Sequence, residues 1–141
     1  MPGETGTIDQ IVGFHIRLAH GSVYRHFAET FAELDLTQKQ LSILWLIDEH
    51  SDIAQADIGR RLRMDRATVM AIINRLEARG FVERGGSQED RRRRALHLTA
   101  AGHDALDSGR ECIREHEAWL RARFTPRETA QLVSLLRRIH E

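Results

Sequence analysis

Hydrophobic residues recur at steps of three and four along most of this chain, which is the period of amphipathic helices. From Ile8 to Leu34 this spacing predicts a first long helix. Thr37 and Gln40 have the spacing of a capping box, so a second helix is expected to begin there. Ala54 to Leu62 is expected to form a short third helix. The first third of the chain is therefore predicted to be helical.

The middle of the chain changes from a helical to a strand pattern. Asp65 is a typical helix cap, Gly80 is a typical stop, and the apolar face between them predicts a fourth helix with Val69, Ile72, Ile73 and Leu76 buried. Phe81 to Arg84 and Ala95 to Leu98 then have short strand patterns, separated by permissive turn residues. We expect these strands to pair as a hairpin, or wing, with Arg91 to Arg94 near its tip.

Two more helices close the chain. Thr99 is expected to cap a fifth helix that continues to about Phe124. Thr125, Pro126 and Glu128 then supply a capping threonine, a proline at the first helical position and a glutamate at the third. This combination predicts the start of the last helix.

Together these elements predict a mainly α fold with a small β-hairpin wing. Two short helices separated by a few residues indicate a helix-turn-helix, and the hairpin makes it a winged one. We expect one domain over residues 1–141, with the winged helix-turn-helix at 35–99. The flanking helices at 8–34 and 100–141 are expected to form a dimerisation layer, because their apolar stripes suit a partner as well as their own core.

Composition narrows the class of protein. The 141 residues contain one cysteine, which excludes an internal disulfide and fits a reducing cytoplasm. No apolar run is long enough to span a membrane, and no secretory signal is visible at the N-terminus. No glycine-rich phosphate loop or nucleophile motif is present, so we expect no enzyme, no catalytic residues and no cofactor.

The formal net charge of zero conceals an uneven distribution. Residues 54–99 contain eleven arginines and six acidic residues, a balance of +5, and the remainder has a balance of −5. A basic block on a helix-turn-helix and its wing is typical of nucleic-acid binding. Arg66, Thr68, Asn74 and Arg75 on the fourth helix are candidates for phosphate or base contacts. The plainer alternative is that these side chains, and the arginine run of the wing, are only solvated surface.

Three stretches carry a resemblance to a known family. Asp90-Arg91-Arg92, followed by Leu96, Leu98, Thr99 and Gly102, resembles the wing signature of the MarR family of winged helix-turn-helix regulators. Residues 74–82 resemble the end of that family's recognition helix, and residues 125–128 resemble the opening of its last helix. The resemblance extends from about Val12 to His140.

The resemblance implies a dimeric transcription factor, usually a repressor, that binds a pseudo-palindromic operator in double-stranded DNA. The fourth helix would lie in the major groove, and Arg92, oriented by Asp90, would approach the minor groove. Ala54, Arg63 and Ala71 depart from the family pattern at a helix cap, at a turn glycine and at a reading position. The predicted DNA-binding residues are Asp65, Arg66, Thr68, Asn74, Arg75, Asp90, Arg91, Arg92, Arg93 and Arg94.

The resemblance also implies a small effector, commonly aromatic and anionic. Aromatic surface beside cationic or polar groups suits such a ligand, and His15, Arg17, Tyr24 and Trp45 are the candidates. Alternatively these side chains only pack or cross a dimer interface. One alternative function is therefore a DNA-binding regulator without a small ligand. Another is a protein-interaction module whose winged helix does not touch DNA, in which Arg91 to Arg94 would be dispensable.

Metal and redox chemistry are not expected. His15 and His26 lie three turns apart, roughly 16 Å, which is too far for one ion. Cys112 has acidic and basic neighbours in equal number and is expected to be buried and inert.

Overall fold

The computed structural model describes residues 6–85 and 95–141, and it is mostly helical. Within those ranges the helices are α1 (Val12–Thr30), α2 (Gln38–Glu49), α3 (Gln55–Leu62), α4 (Arg66–Ala78), α5 (Ala100–Arg121) and α6 (Pro126–His140). Strands β1 (Val82–Arg84) and β2 (Leu96–Leu98) pair antiparallel. The predicted fold class, mainly α with a small hairpin wing, is confirmed. No helix in this part of the chain is long and apolar enough to cross a membrane.

The first helix is shorter than predicted at both ends. Ile8–Gln10 form a separate 3-10 turn, because Ile11 adopts an extended backbone that interrupts the helix. At the other end, the Thr30 hydroxyl donates to the carbonyl oxygen of His26 at 2.8 Å, within the last turn. The chain then turns, and Asp35 adopts a left-handed conformation with φ 52°. The expectation of one continuous helix over residues 8–34 is therefore wrong.

Helix starts agree closely with their local signals. The Thr37 hydroxyl accepts from the Gln40 backbone N–H at 3.1 Å, and the Gln40 side chain accepts from the Thr37 N–H at 3.0 Å. Thr125 and Glu128 exchange the same two bonds at 3.1 and 2.9 Å. Each capping box satisfies two N–H groups that lack partners within the helix. Both predicted capping boxes are confirmed.

Contacts divide the chain into two compact units. The central unit comprises residues 34–111, and the terminal unit comprises residues 1–33 and 112–141. The core of the central unit joins α2, α3, α4, the hairpin and the first half of α5, and its most completely buried side chains are Ile43, Leu44, Ile58, Val69, Ile73, Leu76, Val82, Leu96 and Leu106. This core holds the two helices of the helix-turn-helix and the base of the wing in fixed relation.

The first half of α5 packs closely on the winged helix. A Cβ on Gly102 would meet the Phe81 carbonyl oxygen at 2.0 Å, and a Cβ on Gly109 would meet Leu41 Cδ1 at 2.3 Å. Thr99 caps the helix by accepting from the Gly102 N–H at 3.0 Å. Residues 100–111 therefore belong with the central unit, although the sequence pattern grouped them with the dimerisation helices.

In the terminal unit, α1 meets the second half of α5 through aromatic rings. The ring of His26 stacks on Trp119 at 4.0 Å between centroids, and the guanidinium of Arg123 lies over the same indole at 4.0 Å. Cys112 is half-buried, so the expectation of a fully buried thiol is wrong. It is the first residue of α5 that belongs to the terminal unit.

Candidate nucleic-acid interface

The turn between α3 and α4 depends on an arginine in a left-handed conformation. Arg63 has φ 53° and ψ 48°, a region that favours glycine. The turn is closed by the Met64 N–H, which donates to the Gly59 carbonyl oxygen at 3.0 Å. The departure from the family's turn glycine therefore leaves the helix-turn-helix geometry in place, at a cost in backbone strain.

Helix α4 begins at a local cap made by two predicted DNA-binding residues. Asp65 accepts from the Thr68 backbone N–H at 2.8 Å and from the Thr68 hydroxyl at 2.7 Å. These hydrogen bonds favour the charged carboxylate and lower the pKa of Asp65 below its usual value of 3.8. In the free protein Asp65 and Thr68 thus fix the start of α4. Their contact with DNA stays a prediction.

The face of α4 that points away from the core is exposed to solvent. Arg66 and Arg75 are exposed, and no hydrogen bond or ion pair joins either guanidinium to another residue in the described ranges. Val69, Ile73 and Leu76 face the core on the other side of the helix. Arg66 and Arg75 are therefore placed where phosphates of a duplex can reach them.

Arg84, at the end of β1, ties the wing to both helices of the helix-turn-helix. Its guanidinium donates to Asn74 Oδ1 at 2.8 Å and to Gln55 Oε1 at 3.2 Å, and its Nε lies 3.4 Å from a Glu77 carboxylate oxygen. The Arg84 side chain is only 27% exposed. Asn74 was predicted as a base reader, but its carbonyl oxygen is occupied by this network, which leaves its NH₂ group available.

The sequence analysis missed Arg84 because nothing in a strand pattern shows which helix a strand residue will meet. Its partners lie 10 and 29 residues away in the chain. The one signal that could have identified Arg84 was its place at the end of β1, the first strand of the wing.

The remaining predicted DNA-binding residues, Asp90, Arg91, Arg92, Arg93 and Arg94, lie outside the described residues. The described hairpin carries both ends of that segment, since Val82 pairs with Leu98 and the Gly85 N–H donates to the Ala95 carbonyl oxygen at 2.7 Å. Leu96 also donates its N–H to the Ile53 carbonyl oxygen at 3.2 Å. The base of the wing is thus fixed to the central unit.

Three of the predicted ligand residues lie on α1, but they do not share one face. Arg17 and Tyr24 are seven residues apart and lie on one side of the helix, whereas His15 lies on the opposite side. The His15 ring is 2.5 Å from the Asp9 carbonyl oxygen, and the Arg17 guanidinium is 5.6 Å from the Phe14 ring centre. One ligand cannot contact all three of these side chains on a single copy of α1.

Trp45, the fourth predicted ligand residue, lies in the central unit, and the guanidinium of Arg110 lies over its ring. The Arg110 guanidinium is 4.9 Å from the Trp45 ring centre and forms an ion pair with Asp48 at 2.6 Å. Arg110 was missed by the sequence analysis. An aromatic ring beside a half-buried guanidinium is suited to an aromatic carboxylate, but Asp48 already pairs with that cation.

No group of three or more histidine, cysteine, aspartate or glutamate side chains in the described ranges is arranged to hold a metal ion.

Comparison with known proteins gives a consistent result. A family model described as the MarR family matches residues 34–93. The transcriptional repressor NicR of Pseudomonas putida is 26% identical over 132 residues, which cover 94% of this chain and 84% of NicR.

Solved structures match over nearly the whole length. The repressor CouR bound to a 23-mer DNA duplex has a TM-score of 0.87 and 28% identity, covering 98% of both chains. CouR bound to p-coumaroyl-CoA has a TM-score of 0.84 and 26% identity, covering 98% of this chain and 97% of CouR. A probable transcriptional regulator from Pseudomonas aeruginosa has a TM-score of 0.82 and 30% identity, covering 94% of this chain and 99% of that one. With its winged helix-turn-helix, its wing signature and these matches, the chain belongs to the MarR family of transcriptional regulators.

Proposed function

We propose that this protein is a homodimeric transcriptional repressor that binds a pseudo-palindromic operator and is released by a small aromatic or anionic ligand. The observation that carries the proposal is the match, over 98% of the chain, to CouR bound to DNA. The open face of α4, with Arg66 and Arg75 lacking partners among the described side chains, would lie in the major groove. The wing, with Asp90 and Arg91 to Arg94, would reach the minor groove.

Exposed apolar residues in the terminal unit support the dimer. Among the described residues, all the exposed large hydrophobic side chains except Met70 lie there: Ile8, Ile11, Val12, Ile16, Leu18, Tyr24, Phe124, Val133, Leu135, Leu136 and Ile139. Helix α6 contains no buried residue, although its apolar positions recur with helical spacing. Such a surface is unusual on a monomer and is typical of an interface. A second copy of the chain would cover it and set the distance between two α4 helices.

The similar repressor CouR indicates which class of ligand to test first. CouR was solved with p-coumaroyl-CoA, an aromatic acyl thioester, so aromatic acids and their thioesters are the first class to test. The candidate contacts are His15, Arg17, Tyr24 and Trp45. Because His15 faces away from Arg17 and Tyr24 on α1, a ligand on one copy would use either His15 or the Arg17–Tyr24 face.

The mechanism requires two states of the dimer. A ligand releases DNA only if it binds more tightly to the state in which the two α4 helices no longer match the half-site spacing. The terminal unit carries the apolar surface that joins the copies, so a change there would alter the spacing of the central units. None of these steps needs a catalytic group, and we propose a regulator rather than an enzyme.

The decisive experiment measures binding of the purified protein to a labelled fragment of its own upstream DNA, by fluorescence anisotropy at physiological salt with random-sequence competitor. Specific binding should exceed non-specific binding by about 10³-fold or more. Addition of p-coumaroyl-CoA and related aromatic acids and thioesters should release the DNA. Tight binding that no compound disturbs would favour a regulator without a small ligand.

An Arg92→Ala variant separates this proposal from a protein-interaction module. If Arg92 enters the minor groove, its removal should weaken operator binding strongly and leave the folded structure intact. Equal affinity of the variant and the wild type would contradict the wing mechanism. Binding no stronger than to random DNA, with every upstream fragment tested, would contradict DNA recognition itself.

A further inference from the structure

The outward face of α4 is almost free of hydrogen-bonding side chains. Ala67, Ala71, Asn74 and Ala78 follow one another at steps of four, three and four residues, and all are exposed. Met70 lies beside this row and is 47% exposed. Since the buried residues of α4 lie on the other side of the helix, this row faces away from the core. We call it the apolar row: Ala67, Met70, Ala71, Asn74 and Ala78.

Met70 is unusual in the central unit. It is the one large hydrophobic side chain among the described residues of that unit that is more than a third exposed, whereas the others with such exposure lie in the terminal unit. A flexible, polarisable thioether on the surface of a helix adapts to irregular apolar partners. Within residues 6–85 and 95–141, nearly half of the Met70 surface stays open to solvent.

The charges around the apolar row indicate which partner would cover it. Arg66 and Arg75 lie on the two margins of the row, about half a turn of the helix apart around its axis. This places two cations where they can contact phosphates on either side of a groove. A neutral protein surface would leave both of them without partners, whereas a polyanionic duplex would pair with both.

Asn74, the one polar member of the row, already has a hydrogen-bond partner within the protein. Asn74 Oδ1 already accepts one hydrogen bond from Arg84 at 2.8 Å, so a bidentate contact to adenine would have to use the second lone pair of that oxygen in the orientation that Arg84 sets. Asn74 is the only member of the row with strong hydrogen-bonding groups. The major groove offers one apolar feature, the C5-methyl group of thymine, and alanine and other apolar side chains contact it.

From these observations we propose that the apolar row of α4 recognises thymine methyl groups, with Met70 and Ala71 as the specificity-determining contacts. The proposal rests on the proposed operator binding and assigns its chemistry. Arg66 and Arg75 hold the helix by phosphate contacts, and the row reads the methyl groups through complementary shape. Small side chains at positions 67, 71 and 78 also allow the helix to approach the floor of the groove closely.

The test replaces single thymines by uracil, which removes only the C5-methyl group. A preferred site is first selected from a random duplex library. Each thymine of one half-site is then replaced in turn, and affinity is measured by fluorescence anisotropy at fixed salt. At one or two positions the wild-type protein should lose affinity by about threefold to tenfold, the scale expected for burial of one methyl group or slightly more.

Two variants test whether this loss of affinity depends on the apolar row. In Met70→Ala, which removes the thioether, or in Ala71→Ser, which puts a hydroxyl group at the contact, the effect of uracil at the contacted position should be clearly smaller, because the apolar contact is removed or made polar. Ala101→Ser, on the exposed surface of α5, is the matched control and should keep the full effect. Thermal unfolding of each variant shows that the fold is retained.

The outcomes distinguish the two proposals. Selective binding that no uracil substitution weakens would overturn methyl recognition and leave the repressor proposal intact. A uracil effect that persists in both Met70→Ala and Ala71→Ser would assign it to DNA stiffness or to another residue, and would overturn the role of the row. Failure to select any site would overturn the operator binding on which the inference rests.

Discussion

The Nδ1 atoms of His26 and His116 lie 2.8 Å apart, although 90 residues separate them in the chain. One nitrogen must donate and the other accept, so at least one of the two rings is neutral in this arrangement. The rings stack at 5.0 Å between centroids, His116 is only 7% exposed, and Trp119 covers the His26 ring. Burial, and then electrostatic repulsion from His26, lower the pKa of His116, while Glu117 acts in the opposite direction.

This pair predicts a loss of stability in mild acid. Since the pKa of His116 is below 6.5 in the folded state and near 6.5 in the unfolded state, the unfolded chain binds more protons. The contribution of His116 is complete well above pH 6.5 and declines as the pH falls through 6.5 towards the folded pKa. In His116→Asn, which cannot take up a proton, the unfolding free energy should decline less over this range.

Urea unfolding at a series of pH values between about 5 and 8 measures this difference. His20→Asn, on the exposed surface of α1, is the control and should have the pH dependence of the wild type. If His116→Asn also had the wild-type dependence, the pair would not be the cause.

The Arg84 network predicts a positioning role in DNA binding. Arg84→Met removes the bonds to Asn74 and Gln55 and weakens the link between the end of β1 and α4, so operator affinity should fall by about twofold to tenfold, the range for one net hydrogen bond. Arg121→Met makes the same change of side chain in the terminal unit, where it removes an exposed ion pair with Glu117, and should leave affinity unchanged.

A double-mutant cycle tests whether Arg84 acts through Asn74. If it does, the effects of Arg84→Met and Asn74→Ala on operator affinity should be clearly less than additive. Fully additive losses would show that the two residues act separately.

Helix starts were predictable from the sequence, because the capping hydrogen bonds that fix them join residues only a few positions apart. The caps at Thr37, Asp65 and Thr125 each depend on a side chain three positions from its partner, and the structure has all of them. The departure at Arg63 was visible only through the family resemblance, which places a glycine at that turn, and the structure has Arg63 in a left-handed conformation at φ 53°.

Features that depend on distant partners were not predictable. The sequence places three histidines on the first helix but does not show that His26 meets His116 on α5. The same limit explains why Arg84 was missed, because its partners Gln55 and Asn74 lie on other elements. Packing of Gly102 and Gly109 against Phe81 and Leu41 is likewise long-range, and no local signal shows it.

Adding a side chain at Gly102 is expected to cause a steric clash with the backbone. In Gly102→Ala the new methyl group would lie 2.0 Å from the Phe81 carbonyl oxygen, and backbone cannot move aside as a side chain can. We expect a loss of about 1–3 kcal/mol of stability, as for other overpacked cores. Gly21→Ala, within α1, is the matched control, since nothing lies within 4 Å of its Cβ.

The control should be neutral or stabilising by up to about 1 kcal/mol, because alanine is the better helix former. Thermal unfolding of both variants measures the contrast. Equal melting temperatures would mean that α5 does not approach Phe81 as closely as described.

The left-handed conformation at Arg63 predicts that glycine is tolerated better than alanine at this position. Glycine adopts the left-handed conformation without the cost that an L-residue with a Cβ meets there, although it loses more entropy on folding. Because Arg63 makes contacts that any truncation removes, the informative comparison is between Arg63→Gly and Arg63→Ala. Both lose the same side chain, but only alanine keeps the strain. The glycine variant should be more stable than the alanine variant by about 0.5–1 kcal/mol. Urea unfolding measures this difference, and an alanine variant of equal or greater stability would show that the turn carries no backbone strain.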